Sequence, residues 1–306
     1  MATNIRANLS DFFGTTRLPK LEAVIMSKTE SYASMIPIIF NQENMTTDIY
    51  QTTTISGLRN PTEKAENSPV TFQTIRPGYD QNYVAVMYAT GYRISKEMVD
   101  DGKISLINRA TESFSKGMFE IKELEGAGIF DDGFTTNGYD GVPLFSVSHP
   151  LENGNGTLGT NRPAAASELS LTSFRELRNI MQDTLNENGQ RVKYMPSYFV
   201  LPQDLQDEGM ELVKSQYNPE NGNNAINTIY DSIKLLPGGF WNYLESTTAF
   251  FMAAEKQDHY LMFLPRQGME VTTDYDYHAF AHEVIASERF DFGHSSWRGV
   301  VGNPGA

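Results

Sequence analysis

The period of apolar positions changes several times along this chain, and each change marks an expected element. Through residues 1–45 short apolar clusters (Leu9, Phe12-Phe13, residues 21–26, residues 35–40) alternate with polar stretches, and no long period develops. That pattern predicts an arm with one short helix near residues 20–28. From residue 46 the period becomes two: residues 47–55, 70–75 and 82–92 are rich in β-branched and aromatic side chains and read as strands. The polar tip between them, residues 57–69, carries Arg59, Glu63, Lys64 and Glu66 around Pro61. A two-stranded excursion of this length is not stable alone in water, so it needs a surface to lie on. An arm as apolar as residues 1–45 would be a liability on a free monomer. Phe12, Phe13 and Phe40 are therefore expected to bury on a neighbouring subunit, and Arg59, Glu63, Lys64 and Glu66 to pair across subunits.

Helical periodicity begins at Ser95, which caps a short helix that Gly102 interrupts. Ile107, Ala110, Phe114, Met118, Ile121, Leu124 and Gly128 then recur at three- and four-residue spacing, with Glu112, Lys116, Glu120, Glu123 and Glu125 largely off that stripe. About 25 residues of half-buried helix, roughly 37 Å long, should end near Asp131-Asp132-Gly133. A Gly/Asn/Pro/Ala-rich loop covers residues 152–167. Another amphipathic helix follows, with Ser173 and Glu176 as its expected capping box. Residues 198–201 read as a short strand, Pro202 opens a helix through about Gln216, and residues 229–235 return to strand. The end of the chain reads as a meander over residues 249–254, 260–264, 269–273 and 277–290, with turns at 256–258 and 265–268. This order is α+β rather than regular βαβ.

Composition narrows the class. Hydrophobic residues make up 40% of the 306 and charged residues 20%, which fits a folded protein with a sizeable core. No apolar run reaches the roughly 18 residues a membrane helix requires, and the first residues lack the apolar centre of a secretory signal. The absence of cysteine excludes disulfides and thiolate metal sites. The formal charge of -14 is uneven: residues 1–94 hold eight basic and eight acidic side chains, and the remaining 212 hold 16 and 30. An acidic surface repels phosphate, which argues against a nucleic-acid reader and suits the wall of a container.

Three patterns could carry chemistry. Ser146, Ser148 and His149 lie close in sequence, but no Gly-x-Ser-x-Gly elbow surrounds either serine. Asp140-Gly141 and His149-Pro150 instead make residues 137–150 a bend anchored by Val142, Leu144 and Phe145. Residues 154–159 match G-x-G-x-x-G, yet no strand precedes them and the next helix starts about 13 residues later, so they read as a surface loop. Asp274, Asp276 and His278, if on a strand, share a face that could hold a divalent cation. A half-exposed strand with its aromatics inward explains those residues equally well. No catalytic residue, cofactor or metal is expected.

The run Gly141-Val142-Pro143-Leu144-Phe145-Ser146-Val147-Ser148-His149 resembles the Gly-x-Pro-Leu-Phe-Ser-x-x-His signature of the Mu-type major head subunits of tailed bacteriophages. Nearly the whole chain follows that pattern, through to Phe290-Asp291-Phe292-Gly293 and Trp297-Arg298-Gly299. The resemblance implies the Hong Kong 97-type capsid fold: an N-terminal arm (1–45), an extended loop (46–92), a peripheral domain with a spine helix (93–135 and 248–290), and an axial domain with a C-terminal strand (136–247 and 291–306). It also implies hexamers and pentamers of one chain in an icosahedral shell around double-stranded DNA, assembled in the host cytoplasm. DNA would be held by enclosure and no membrane would be involved. Partners would be a portal, a separate scaffold or protease, and decoration proteins. Some relatives cross-link through a loop lysine; Lys64 sits in a comparable loop, but no matching partner motif accompanies it. Two alternatives stay open: an encapsulin-type nanocompartment, and a soluble hydrolase using Ser146 and His149.

Overall fold

The computed structural model describes residues 18–55, 61, 63–70, 72–73, 77–151, 158–186, 188–217 and 226–306. Two helices lie side by side at its centre. Helix α1 (Leu18–Ser31) runs along the long helix α4 (Ile104–Asp131), because each is apolar on one stripe. Ile25 packs with Met118, Lys28 pairs with Glu112 at 2.9 Å, and the Tyr32 and Phe119 rings stand 5.2 Å apart. The chain then makes a single turn, α2 (Ile36–Ile39), and a short strand, β1 (Asn41–Gln42), and a short helix capped by Ser95, α3 (Lys96–Asp100), precedes α4.

The first sheet has the order β1-β10-β11-β4 and covers one side of α4. Strands β4 (Val86–Ser95), β10 (Leu261–Asp276) and β11 (Ala281–His294) are antiparallel, with Phe290 opposite Val86 and Ala281 opposite Ser95. The second sheet has the order β12-β9-β7-β8, formed by β7 (Tyr198–Val200), β8 (Lys234–Leu235), β9 (Phe250–Ala253) and β12 (Val300–Asn303). Helices α5 (Leu171–Gln182) and α6 (Gln206–Lys214) bury their apolar faces on it through Phe174, Leu177, Met181, Leu212 and Val213. An aromatic core that includes Phe40, Phe130, Phe145, Trp241, Phe251 and Phe292 joins the two sheets. Strands β2 (Ile49–Ile55) and β3 (Pro77–Val84) form a separate two-stranded ribbon.

Several expectations change. The long helix spans 28 residues, but polar side chains lie on its buried stripe. Thr111, Ser115 and Glu123 are buried while Leu124 is 43% exposed. The arm helix is longer than residues 20–28, and of the expected strand at 70–75 the described residues Val70, Phe72 and Gln73 belong to no strand. The strand expected at 82–92 is two, since Ala85 is the buried point where the chain leaves β2 for β11. The capping box is Ser170 with Ser173, one turn earlier than Ser173 with Glu176. Residues 265–268 are no turn: β10 continues through them with two register shifts, and the reversal falls at residues 277–280. Only Lys234 and Leu235 of residues 229–235 are strand, because Asp231 adopts φ +51 in a turn. Strand β9 pairs with β7 and β12 and so stands in the second sheet.

Candidate functional site

After α4 the chain bends through a short 3-10 turn, Asp132–Phe134, into the signature run. The Gly138 N–H donates to Val142 O at 2.8 Å, and Gly141 takes φ +81, a conformation glycine adopts at no steric cost. Asp140 works at both ends of its carboxylate. One oxygen accepts the Val142 N–H at 3.3 Å, and the other meets His149 Nδ1 at 2.6 Å. The imidazole is buried and lies flat on Trp297, with ring centroids 4.4 Å apart and planes 8° from parallel. Arg298 caps the other end of the stack, its guanidinium 4.5 Å from the Trp297 ring, and Arg298 Nε donates to Leu185 O at 2.8 Å. Thus the two stretches that carry the sequence resemblance, 148 residues apart, pack on one another.

Asn161 ties this assembly together. Its Nδ2 donates to Leu144 O at 2.7 Å and Val300 O at 3.2 Å, which fixes which end of the amide is the acceptor. The Oδ1 atom then receives the Ser146 N–H at 2.9 Å and faces His149 Nε2 at 3.1 Å. Gly159, two residues earlier, runs so close to Trp297 that a Cβ there would sit 2.5 Å from the ring. Nothing in the composition or period around Asn161 singles it out. The contacts that matter come from residues 144–149 and 297–300, far away in sequence.

This geometry decides the chemical candidates. An Asp–His pair resembles two thirds of a hydrolytic triad, but a triad needs a hydroxyl on the second ring nitrogen. Here that nitrogen faces Asn161, while Ser146 Oγ lies 3.4 Å from Ser148 Oγ and accepts the Ser148 N–H at 3.2 Å. The bend is built for packing. Asp274 and Asp276 do not share a cation site with His278, because β10 ends at Asp276 and His278 lies in the turn. Their carboxylates accept backbone N–H groups instead, from Tyr275 at 2.7 Å and from His278 at 2.8 Å. Among the described residues no group of three metal-ligating side chains is assembled. Most of the G-x-G-x-x-G stretch lies outside the described residues, and Gly159 stands in β6 (Leu158–Gly159), paired with β5 (His149–Pro150).

The expected subunit contacts divide. Phe40 is a correction: it is 1% exposed inside this chain's own core, with Phe130, Trp241 and Phe292 around it, so its ring is unavailable to a neighbour. Glu63, Lys64 and Glu66 are exposed on the tip beyond β2 and β3. Phe12, Phe13 and Arg59 lie outside the described residues. Sequence reasoning missed Glu123, which is buried and accepts Ser34 Oγ at 2.5 Å, Met35 N at 3.2 Å and Trp241 Nε1 at 3.0 Å. Burial pushes that carboxyl up, and these donors pull it back. It also missed the β10–β11 tip, where Tyr277 and Phe280 are 78% and 57% exposed and Phe280 adopts φ +46.

The fold is thus a two-sheet body with a closed, internally hydrogen-bonded bend at its heart and a β2–β3 ribbon that stands apart from both sheets. Those are the attributes of a shell-forming subunit with the Hong Kong 97-type capsid fold. Residues 78–303 match the family described as phage capsid protein, and the chain belongs to that family. Among solved structures it is similar to that of Microbacterium phage Oxtober96, with a TM-score of 0.55 and 10% identity over 89% of this chain and 91% of that one. The capsid of bacteriophage JBD30 decorated with minor capsid protein trimers gives 0.55 and 11% over 70% and 92%. A virus-like particle from Pyrococcus furiosus gives 0.53 and 11% over 93% and 98%. Among curated proteins none matches the chain. It is a structural protein, a major capsid subunit of the virion.

Proposed function

We propose that this chain is a Mu-type major head subunit whose hexamers and pentamers close an icosahedral shell around double-stranded DNA. The observation that carries this reading is the β2–β3 ribbon with its exposed tip. Val70 and Phe72 there are 62% and 91% exposed, which a two-stranded ribbon does not sustain as a free surface. A neighbouring copy provides the missing support. The ribbon and tip act as the extended loop, residues 46–92, and residues 1–45 as the arm. The first sheet with α1 and α4 supports the peripheral domain, and the second sheet with α5 and α6 the axial one. On the pairing of the strands, the division runs with β9 in the axial domain and β11 in the peripheral one.

Subunit contacts are proposed at Phe12, Phe13, Arg59, Glu63, Lys64 and Glu66, and at Tyr277 and Phe280 on the β10–β11 tip. Exposed ion pairs contribute little singly, so cohesion arises from their repetition around each capsomer. The acidic character of residues 95–306 fits DNA held by enclosure. The portal, a separate scaffold or protease and decoration proteins are the partners of this reading, with assembly in the host cytoplasm and no catalytic role. The likeness to the Pyrococcus particle concerns the fold alone and lends the nanocompartment alternative no residue of its own. Negative-stain microscopy of the purified chain tests the proposal: uniform shells or capsomer rings are expected. A monodisperse monomer at high concentration overturns it.

A further inference from the structure

The first sheet carries apolar side chains on both faces, although α1 and α4 pack on only one. Val284 and Ala286 of β11 are buried there with Ile25 and Met118. Side chains alternate along a strand, so Ile285, Ser287 and Arg289 stand on the opposite, outer face, and none of them is buried. The register of β4 sets Gly91 across from Ile285, Ala89 across from Ser287 and Met87 across from Arg289. Met87 and Ile285 are 58% and 44% exposed, and a Cβ at Gly91 would sit 3.1 Å from Ile285 Cγ1. The result is a shallow trough, floored by Ala89, Gly91 and Ser287 and walled by Met87 and Ile285. A solvated sheet face normally carries polar side chains, yet β4 presents none on this face from Met87 to Gly91, about 14 Å of strand.

The two ends of the trough differ in charge. At one end Arg93 is already paired with Glu283 at 2.7 Å. At the other, Arg289 stands beside Arg266, the extra residue where the β10 register shifts between Pro265 and Gln267. Among the described residues neither arginine makes an ion pair. Glu270, across from Ser287 on β10, is occupied by Gln267 Nε2 at 2.8 Å. The trough therefore fits an apolar group with a carboxylate to one side of it. The tip of the β2–β3 ribbon offers that combination. Phe72 is the most exposed of the described large apolar side chains. The Ser68 N–H donates to Ala65 O at 3.2 Å in a turn that has Glu66 at its corner, and Glu66 is exposed.

We infer that Phe72 of a second copy seats in this trough, with Glu66 of that copy at Arg289 and Arg266. This rests on the shell reading above and names the surface that supports the ribbon. A chain cannot fill its own trough. The Tyr83 hydroxyl donates to His294 O at 2.5 Å and accepts the His294 N–H at 2.9 Å. Its ring lies against Gly293, where the β4–β11 register, continued, would put it. The ribbon therefore runs on in line with β4, away from the trough. Pro77, where β3 begins, is 12 residues from Ala89, or about 40 Å of extended chain. Phe72 precedes Pro77 by five residues, which return it by at most about 17 Å. The contact is thus tip to trough, between unlike surfaces of two copies, and such contacts close into rings.

The absence of cysteine makes a direct test possible. Val70→Cys is combined with Ser287→Cys, which leaves Phe72, Glu66, both arginines and the trough walls in place. Assembled particles are treated with a short bis-maleimide and run on a denaturing gel. The expected result is a ladder of linked chains, whose yield falls at least fivefold when Phe72→Ala is added and at least twofold with Glu66→Gln. Unlinked chains only, or a link closed within one chain, overturn the inference. So does a ladder indifferent to either substitution, or an equal ladder from Val70→Cys with Tyr230→Cys, an exposed position beside α6. If the double-cysteine chain does not assemble, Phe72→Arg and Met87→Glu, both at exposed positions, are measured singly and together in the cysteine-free chain. Each should lower the yield of particles at least fivefold, and the pair should restore it to within twofold of the unsubstituted chain. Additive losses overturn the inference. Microscopy of the unsubstituted chain separates the two readings: no particles there sinks the shell reading, whereas particles without linkage sink only the seat of Phe72.

Discussion

The bend around His149 and the ribbon formed by β2 and β3 are opposites. In the bend, both nitrogens of His149, both ends of the Asn161 amide and both oxygens of Asp140 have partners within the chain. In the ribbon, Ile49 and Val84 are opposite one another and each is about half exposed. The first region is complete in one subunit, and the second, on the proposed reading, is completed by a neighbouring copy. Disturbing the bend should unfold the monomer, and disturbing the extensions should leave the monomer folded and spoil the shell. Each variant below is a way to break that contrast.

The largest effect is expected from Trp297→Ala. The indole is fully buried between His149 and Arg298, and removing a buried Trp costs about 3–5 kcal/mol. The denaturation midpoint of the monomer should fall accordingly, with unfolded chain accumulating before any assembly step. A loss below about 1 kcal/mol would mean that the stack is incidental.

Asn161→Ala comes next. It strands the Ser146 N–H and removes the donor to Leu144 O and Val300 O. Each buried group left unsatisfied costs about 1–3 kcal/mol, so a loss on the order of 3 kcal/mol is expected in urea titration. Asn161→Asp should be similarly harmful, since a carboxylate replaces the donor with a second acceptor. If the aspartate variant matches the wild type, the assignment of the amide's two ends is wrong.

How much of this was legible follows from where the contacts come from. The long helix, its interruption at Gly102 and the cap at Ser95 are local, and the periodicity of residues 95–131 carries them. Glu123 misled for the complementary reason. A carboxylate off an apolar stripe reads as surface, and only Ser34, Met35 and Trp241 arriving from elsewhere make it an interior cap. Phe40 misled likewise: an aromatic at the end of an apolar arm looks available until three further rings close over it. The bend at 138–150 could be recognised as a turn from Asp140-Gly141 alone. Its partner Asn161 could not be found, because a lone Asn in a polar stretch carries no sign of the carbonyls it will meet.

Acid should weaken the body more than the contacts between copies, by a mechanism within the core. Burial, with the Lys256 charge nearby, holds the His259 imidazole down at about 4 against an ordinary 6.5. The unfolded chain therefore takes up this proton first. The stability is fully present above about pH 6.5 and is lost as pH falls toward 4. A shift of that size is worth on the order of 3 kcal/mol, and His294, held at about 4 by its burial, adds in the same direction. Glu123 acts with the opposite sign, since burial raises its carboxyl and the folded state takes up that proton first. The net expectation is a melting temperature that declines between pH 6.5 and 4, with a shallower decline in His259→Asn. Equal slopes for the two chains would remove His259 from the account.

The smallest change in stability, and the sharpest separation of the two regions, is expected from Phe280→Gly. Phe280 sits at φ +46 on the β10–β11 tip, and its carbonyl accepts the Lys96 N–H at 2.9 Å, which holds the turn in that conformation. A residue with a Cβ is strained there by about 1–2 kcal/mol, and glycine is not. The ring itself is mostly exposed and contributes little to this chain's own packing. The glycine variant should therefore melt slightly higher than the wild type, by about 1 kcal/mol after the entropy glycine adds to the unfolded chain. It should also assemble less well, because the aromatic face offered to a neighbour is gone. Higher stability with poorer shell formation by light scattering is a combination no packing defect produces. If shells form normally, the exposed ring at Phe280 has no part in the subunit contact, and the strain at the tip must be kept for another reason.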